Sequence, residues 1–174
     1  MEHVVEASVH LAERLGHVRA ALTRDVGLLV ASGTVADAMG RDGFESSLAV
    51  EVGSGTQVQQ AIVGEVGPMT WTDDALVVAV QWQPASHAHL LPAFAGEFEL
   101  TADPPGTRVV LRGAYTVPLG PAGRVVDWAA GRRLAHRVLA RHLESVAERI
   151  DQEARDAAAS KQEPAGPGSE NFLG

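Results

Sequence analysis

The chain contains no cysteine among its 174 residues. Disulfide stapling, thiolate zinc sites, iron–sulfur clusters and thiol chemistry are therefore excluded. Cations are also scarce: 14 Lys and Arg stand against 22 Asp and Glu, a formal charge of −8. That balance argues against nucleic acid as a partner, because neutralising phosphates takes clustered Lys and Arg. Long apolar runs are missing as well. The longest clusters, Val26 to Ala31 and Ala75 to Val80, reach six residues each, where a bilayer span needs about 20. The opening Met1-Glu2-His3-Val4-Val5-Glu6 lacks the basic stretch and apolar run of a secretion signal. A cytoplasmic protein with no transmembrane segment is expected. Aromatics are few, at 5%, but hydrophobic residues make up 45%, an ordinary globular mix. A chain of this length folds as one domain and hides roughly 68–70% of its unfolded surface, enough for a core with an internal pocket.

What is present is a change of period along the chain. Val5, Ala7 and Val9 alternate with polar neighbours, which predicts a short strand. From Leu11 to Arg24 the spacing becomes helical, with Leu11, Leu15, Val18 and Leu22 on one stripe. Asp25 to Asp42 is interrupted by glycines and reads as irregular helix or loop. From Phe44 the period is two again: Leu48, Val50 and Val52; then Val58, Ile62 and Val66; then Leu76, Val78, Val80 and Trp82. Phe98 and Leu100 follow, and after them Val109, Leu111 and Tyr115. Gly53-Ser54-Gly55, Thr72-Asp73-Asp74 and Asp103-Pro104-Pro105-Gly106 supply turns between these runs. Pro84 ends its strand because proline donates no ladder hydrogen bond. Short turns between successive strands predict an antiparallel meander, and a doubly wound βα sheet is not expected. After Pro118-Leu119-Gly120-Pro121 the spacing of Val125, Trp128, Arg132, Ala135, Leu139, Leu143, Val146 and Ile150 predicts a helix from about 123 to 154. At 1.5 Å per residue it is about 45 Å long. The domain is expected to span 1–152, and residues 153–174, rich in Ala, Pro, Gly and Ser, read as a disordered tail.

The order of these elements, and the stretches Val80-Gln81-Trp82-Gln83-Pro84-Ala85, Leu91 to Leu100, Thr107 to Tyr115 and Pro118-Leu119-Gly120, resemble a bacterial subgroup of the START/polyketide-cyclase-like (SRPBCC) superfamily. The resemblance covers about residues 4 to 150 and is strongest from 78 to 143. It implies an α+β helix-grip fold, a curved antiparallel sheet wrapped around the long C-terminal helix with a cavity between them. It also implies binding of a lipid, polyketide-like or other apolar molecule, and in a minority of members cyclisation or dehydration. The resemblance transfers no catalytic set. His142 is a departure, standing where similar sequences often carry an aromatic residue.

In that architecture Trp82, Phe94, Phe98, Tyr115, Trp128 and Leu139 are expected to line the cavity, although each also serves as plain core. Arg112, Arg132 and His136 are polar candidates beside Tyr115. Arg132 sits on the helix stripe where Ala or Leu is expected; it either pairs with a ligand carboxylate or packs its stem and sends its head to solvent. Arg112 shares a face with Val110 and Ala114 and fits the solvated side equally well. His87-Ala88-His89 is a close histidine pair, but no third ligand follows at a metal spacing, so no metal is expected. His136 and His142 are about 240° apart on a helix and cannot share one. No phosphate loop, dinucleotide fingerprint or nucleophile elbow occurs, so no cofactor is expected. Between residues 124 and 149 six arginines face three acids. Such a basic helix is either a solvated face or a peripheral membrane contact. The leading expectation is a binder of a small hydrophobic or amphipathic ligand. The alternatives are a polyketide cyclase or dehydratase using Tyr115, Arg112 and His136 for proton transfer, and a protein-interaction module like the superfamily's chaperone activators.

Overall fold

A computed structural model describes residues 2–30, 43–52, 56–85, 92–116 and 128–162. Six strands form one antiparallel sheet: β1 (Glu2–Leu11), β2 (Gly43–Val52), β3 (Thr56–Trp71), β4 (Ala75–Pro84), β5 (Ala93–Asp103) and β6 (Gly106–Thr116). Their spatial order is β1-β6-β5-β4-β3-β2, so the first strand crosses over to pair with the last while the other five form a meander. Helix α1 (Leu15–Arg24) follows β1, a 3₁₀ turn covers Val26–Val30, and the long helix α2 (Trp128–Gln162) closes the chain's described part. This is the α+β helix-grip architecture: a curved antiparallel sheet grips the C-terminal helix.

The alternation is what places the core. Leu76, Val78, Val80 and Trp82 are all buried on one face of β4, and Phe94, Phe98 and Leu100 do the same on β5. Against them α2 lays Val138, Leu139, His142, Leu143, Val146, Ala147, Ile150 and Ala154, a stripe at helical spacing.

The bounds of two helices need correction, and one strand carries an irregularity. Helix α1 starts at Leu15, not Leu11. Leu11 closes β1 opposite Thr107, and it fits both readings because it continues the strand face of Val5, Ala7 and Val9 as well as the helical stripe. Strand β3 runs to Trp71, up to the turn expected at Thr72-Asp73-Asp74. The register shifts between Val66 and Met69, and this bulge absorbs Gly67 and Pro68, the usual place for a proline inside a sheet. Helix α2 continues to Gln162, so the boundary drawn at 152 falls inside it. Ala-rich composition is good helix former as well as tail, and Ala154 is buried. The Gly53-Ser54-Gly55 turn, the Pro118–Pro121 stop and residues 163–174 lie outside the described residues.

Polar straps hold the C-terminal half of α2 to the chain around α1. The Asp151 carboxylate accepts from the backbone N–H groups of Ala12 (3.1 Å) and Glu13 (3.2 Å). Arg24 pairs with Glu153 at 3.0 Å, and the Arg149 guanidinium donates to the Leu28 carbonyl at 2.8 Å. Thr107 donates its hydroxyl to the Glu13 carbonyl at 2.8 Å.

Candidate functional site

The strand register assembles a row that no single strand reveals. On the concave face Phe44 lies opposite Gly64, Gly64 opposite Trp82, Trp82 opposite Phe94, Phe94 opposite Tyr115, and Tyr115 opposite His3. One rung across all six strands is thus aromatic except at Gly64. Trp82 and Phe94 stack with ring centroids 4.2 Å apart and planes 21° from parallel, while His3 and Tyr115 are tilted at 5.4 Å. Such cross-strand aromatic pairs stabilise a sheet by up to about 1 kcal/mol each.

Glycines make room for the rings. A Cβ on Gly64 would meet the tip of the Phe44 ring at 2.6 Å. Gly96 and Gly113 are paired on the next rung, and a Cβ on Gly113 would stand 2.5 Å from the Phe94 ring. No real Cβ tolerates these approaches, so these positions let the tips of phenylalanine rings come close to bare backbone.

Beneath α2, Trp82, Phe94, Tyr115 and Leu139 join Leu48, Pro92, Ala135 and Val138 around an apolar cavity of about 30 Å³. That is space for about one water molecule, far below the wide void expected from the fold resemblance. The described residues lining it carry no charge. A separate groove of about 280 Å³ runs between edge strand β2 and α2, past Ser47, Gln59, Arg141, His142 and Ser145. Leu48 and Val138 line both spaces.

Four of the expected lining residues, Trp82, Phe94, Tyr115 and Leu139, therefore come together. Phe98 is not among the cavity's lining residues; it is fully buried four residues beyond Phe94 on β5, where it fills the core. Arg112 points away from α2. Its parity on β6 is opposite to that of Tyr115, it is exposed, and its Nε donates to Glu6 at 2.8 Å. The Glu6 carboxylate, first by hydrogen bonding and then by its charge, holds that guanidinium above its ordinary pKa. His136 is exposed too, lining an open groove between β1 and α2 with Val4, Glu6, Arg133 and Arg137. Both leave the candidate pocket because a side chain's face is set by strand parity or helical angle, not by proximity in sequence. The side chains of Trp128 and Arg132, and all of His87-Ala88-His89, lie outside the described residues.

The residue missed as a site candidate is His142. It is 7% exposed, lies one turn beyond Val138 and Leu139 on α2, and its ring centroid is 5.8 Å from that of Trp82. The ring donates to the backbone carbonyl of Leu29, while Nε2 is buried with no hydrogen-bond partner. Burial, and then the charge of Arg149, push the imidazole down from 6.5 to about 4, so it is neutral at pH 7 with Nε2 as an acceptor. The departure at position 142 from the aromatic residue of similar sequences was the signal that could have found it.

Among the described residues no group of three or more metal-ligating side chains occurs, and no helix is long and apolar enough to cross a membrane.

Solved structures share this fold. The chain is similar to the Zhui aromatase/cyclase from Streptomyces sp. R1128, with a TM-score of 0.55 and 15% identity over 93% of this chain and 99% of that one. It is similar to SA2116 from Staphylococcus aureus, a protein of unknown function, at a TM-score of 0.53 and 13% identity, covering 91% of this chain and 97% of that one. The di-domain aromatase/cyclase StfQ of the steffimycin biosynthetic pathway gives 0.51 and 15% identity, and there the match covers 91% of this chain and 53% of the two-domain one. Identities this low establish the shared fold and nothing finer. No protein-family model matches the sequence, nor does any curated protein.

Proposed function

We propose that this chain is a ligand-binding member of the START/polyketide-cyclase-like (SRPBCC) superfamily that takes up a small hydrophobic or amphipathic molecule between its sheet and its C-terminal helix. The observation that carries the reading is the aromatic rung Tyr115–Phe94–Trp82 facing a cavity under Leu139 and Val138 whose described lining residues carry no charge. Small-molecule sites are usually apolar and aromatic, with a few polar groups to orient the guest. Each square ångström of apolar ligand surface hidden there contributes about 25 cal/mol. The cavity at rest holds no ligand-sized space, so binding requires side chains of α2 or β2 to swing aside.

The cyclase alternative is weaker, because of its three proton-handling groups the described cavity contains Tyr115, whereas Arg112 and His136 face solvent. The fold it shares with aromatase/cyclases supports it at the level of architecture.

Equilibrium dialysis against 2-naphthol, a neutral two-ring probe, tests the proposal. Saturable one-to-one uptake is expected, weakened at least tenfold by Leu139→Phe, which fills the cavity. Absence of saturable uptake, or uptake indifferent to Leu139→Phe, overturns it and leaves the filled sheet–helix space as the core of an interaction module.

A further inference from the structure

We propose that His142 is the polar anchor of the ligand site, and that its buried, unpartnered Nε2 selects a neutral guest carrying a hydroxyl or N–H donor. The inference rests on the ligand-binding reading above and adds the chemical class of the guest.

Three observations converge on it. A buried acceptor without a partner is uncommon, since nearly all buried polar atoms are paired. Leaving one unmade is costly, and His142 Nε2 is such an atom. The Leu29 carbonyl accepts the ring's N–H, which assigns that proton to Nδ1 and leaves Nε2 with a lone pair. The residue also stands at a junction. Its ring is beside Trp82, the centre of the aromatic rung, and it lines the β2–α2 groove whose wall, Leu48 and Val138, is shared with the cavity. Displacing those two side chains would merge the spaces into one elongated site. An aromatic guest would then lie along Trp82 and Phe94 with its donor on Nε2.

The chemistry discriminates among guests. A neutral imidazole acceptor offers nothing to a carboxylate, which brings no proton and would itself be desolvated. A pure hydrocarbon leaves Nε2 as unpaired as it is in the free protein. A phenol, an enol or an indole-like N–H satisfies it. Two-ring probes of nearly the same shape separate these cases: 2-naphthol carries the donor and 2-methoxynaphthalene lacks it.

In equilibrium dialysis at pH 7 the natural protein should prefer 2-naphthol over 2-methoxynaphthalene by about tenfold, the size expected for one buried hydrogen bond. His142→Leu should bind both alike, through loss of 2-naphthol affinity, and His142→Gln, which keeps an acceptor at this point, should restore part of the preference. Equal binding of the two probes by the natural protein overturns the anchor while leaving the apolar pocket standing. A preference that survives His142→Leu overturns it too. Binding of neither probe removes the pocket itself, and the anchor with it.

Discussion

The two ends of the concave face use the same fold in opposite ways. At one end, the rung Val109–Leu100–Leu76 is aliphatic and fully buried, next to Leu11, Leu111 and Phe98, which are fully buried as well. The straps from Asp151, Glu153 and Arg149 sit in the C-terminal half of α2. At the other end the rung is aromatic, glycines leave room for the rings, a cavity persists, and a histidine is buried with an idle nitrogen. Voids and unpaired acceptors both reduce stability. The closed end supplies the margin within which the open end can keep them, and sites that must accept a guest are drawn from such weakly packed regions.

Truncations should expose this difference most strongly. Leu76→Ala at the closed end is expected to cost about 4 kcal/mol in urea unfolding, and Leu139→Ala about 2 kcal/mol, because a side chain already facing a void has fewer contacts to lose. Equal costs at the two ends would break the contrast.

Acid provides the next test. The unfolded chain protonates His142 near pH 6.5, whereas the fold resists until about pH 4. The unfolded state binds the extra proton through that window, so stability falls as pH drops from 6.5 to 4. Between pH 7 and pH 4 the natural protein should lose roughly 3 kcal/mol more than His142→Leu does. Comparing the two proteins cancels the titration of shared carboxylates.

Asp151→Ala sharpens the role of the straps. Losing two hydrogen bonds to a carboxylate should cost about 1.5 kcal/mol, lowering the melting temperature without altering 2-naphthol affinity. The smallest effect belongs to Arg112. Its pair with Glu6 is solvent-exposed, where ion pairs contribute little, so Arg112→Ala should leave both probe affinity and melting temperature unmoved.

Much of this architecture was readable from alternation. Leu76, Val78, Val80 and Trp82 share one parity, as do Phe94, Phe98 and Leu100, and parity alone put them on the inner face. Parity put Trp82 and Tyr115 on inward faces and helical spacing put Leu139 on the α2 stripe, but the expectation that they and Phe94 line a cavity came from the fold resemblance. Parity also spoke against Arg112, which shares its face with the exposed Arg108. The rung itself was not legible, because it depends on which residue faces which across five strand pairs, and register is fixed by turns and bulges rather than by composition. His142 escaped for another reason: a lone histidine on an apolar stripe reads as core until its hydrogen-bond partners can be counted.

The most direct measurement is a methyl and indole NMR titration of the labelled protein with 2-naphthol. Binding at the aromatic end predicts shifts at Leu48, Trp82, Val138 and Leu139, with Leu76 and Leu100 unmoved. Unchanged spectra at high probe concentration, or shifts led by Leu76 and Leu100, would contradict the account.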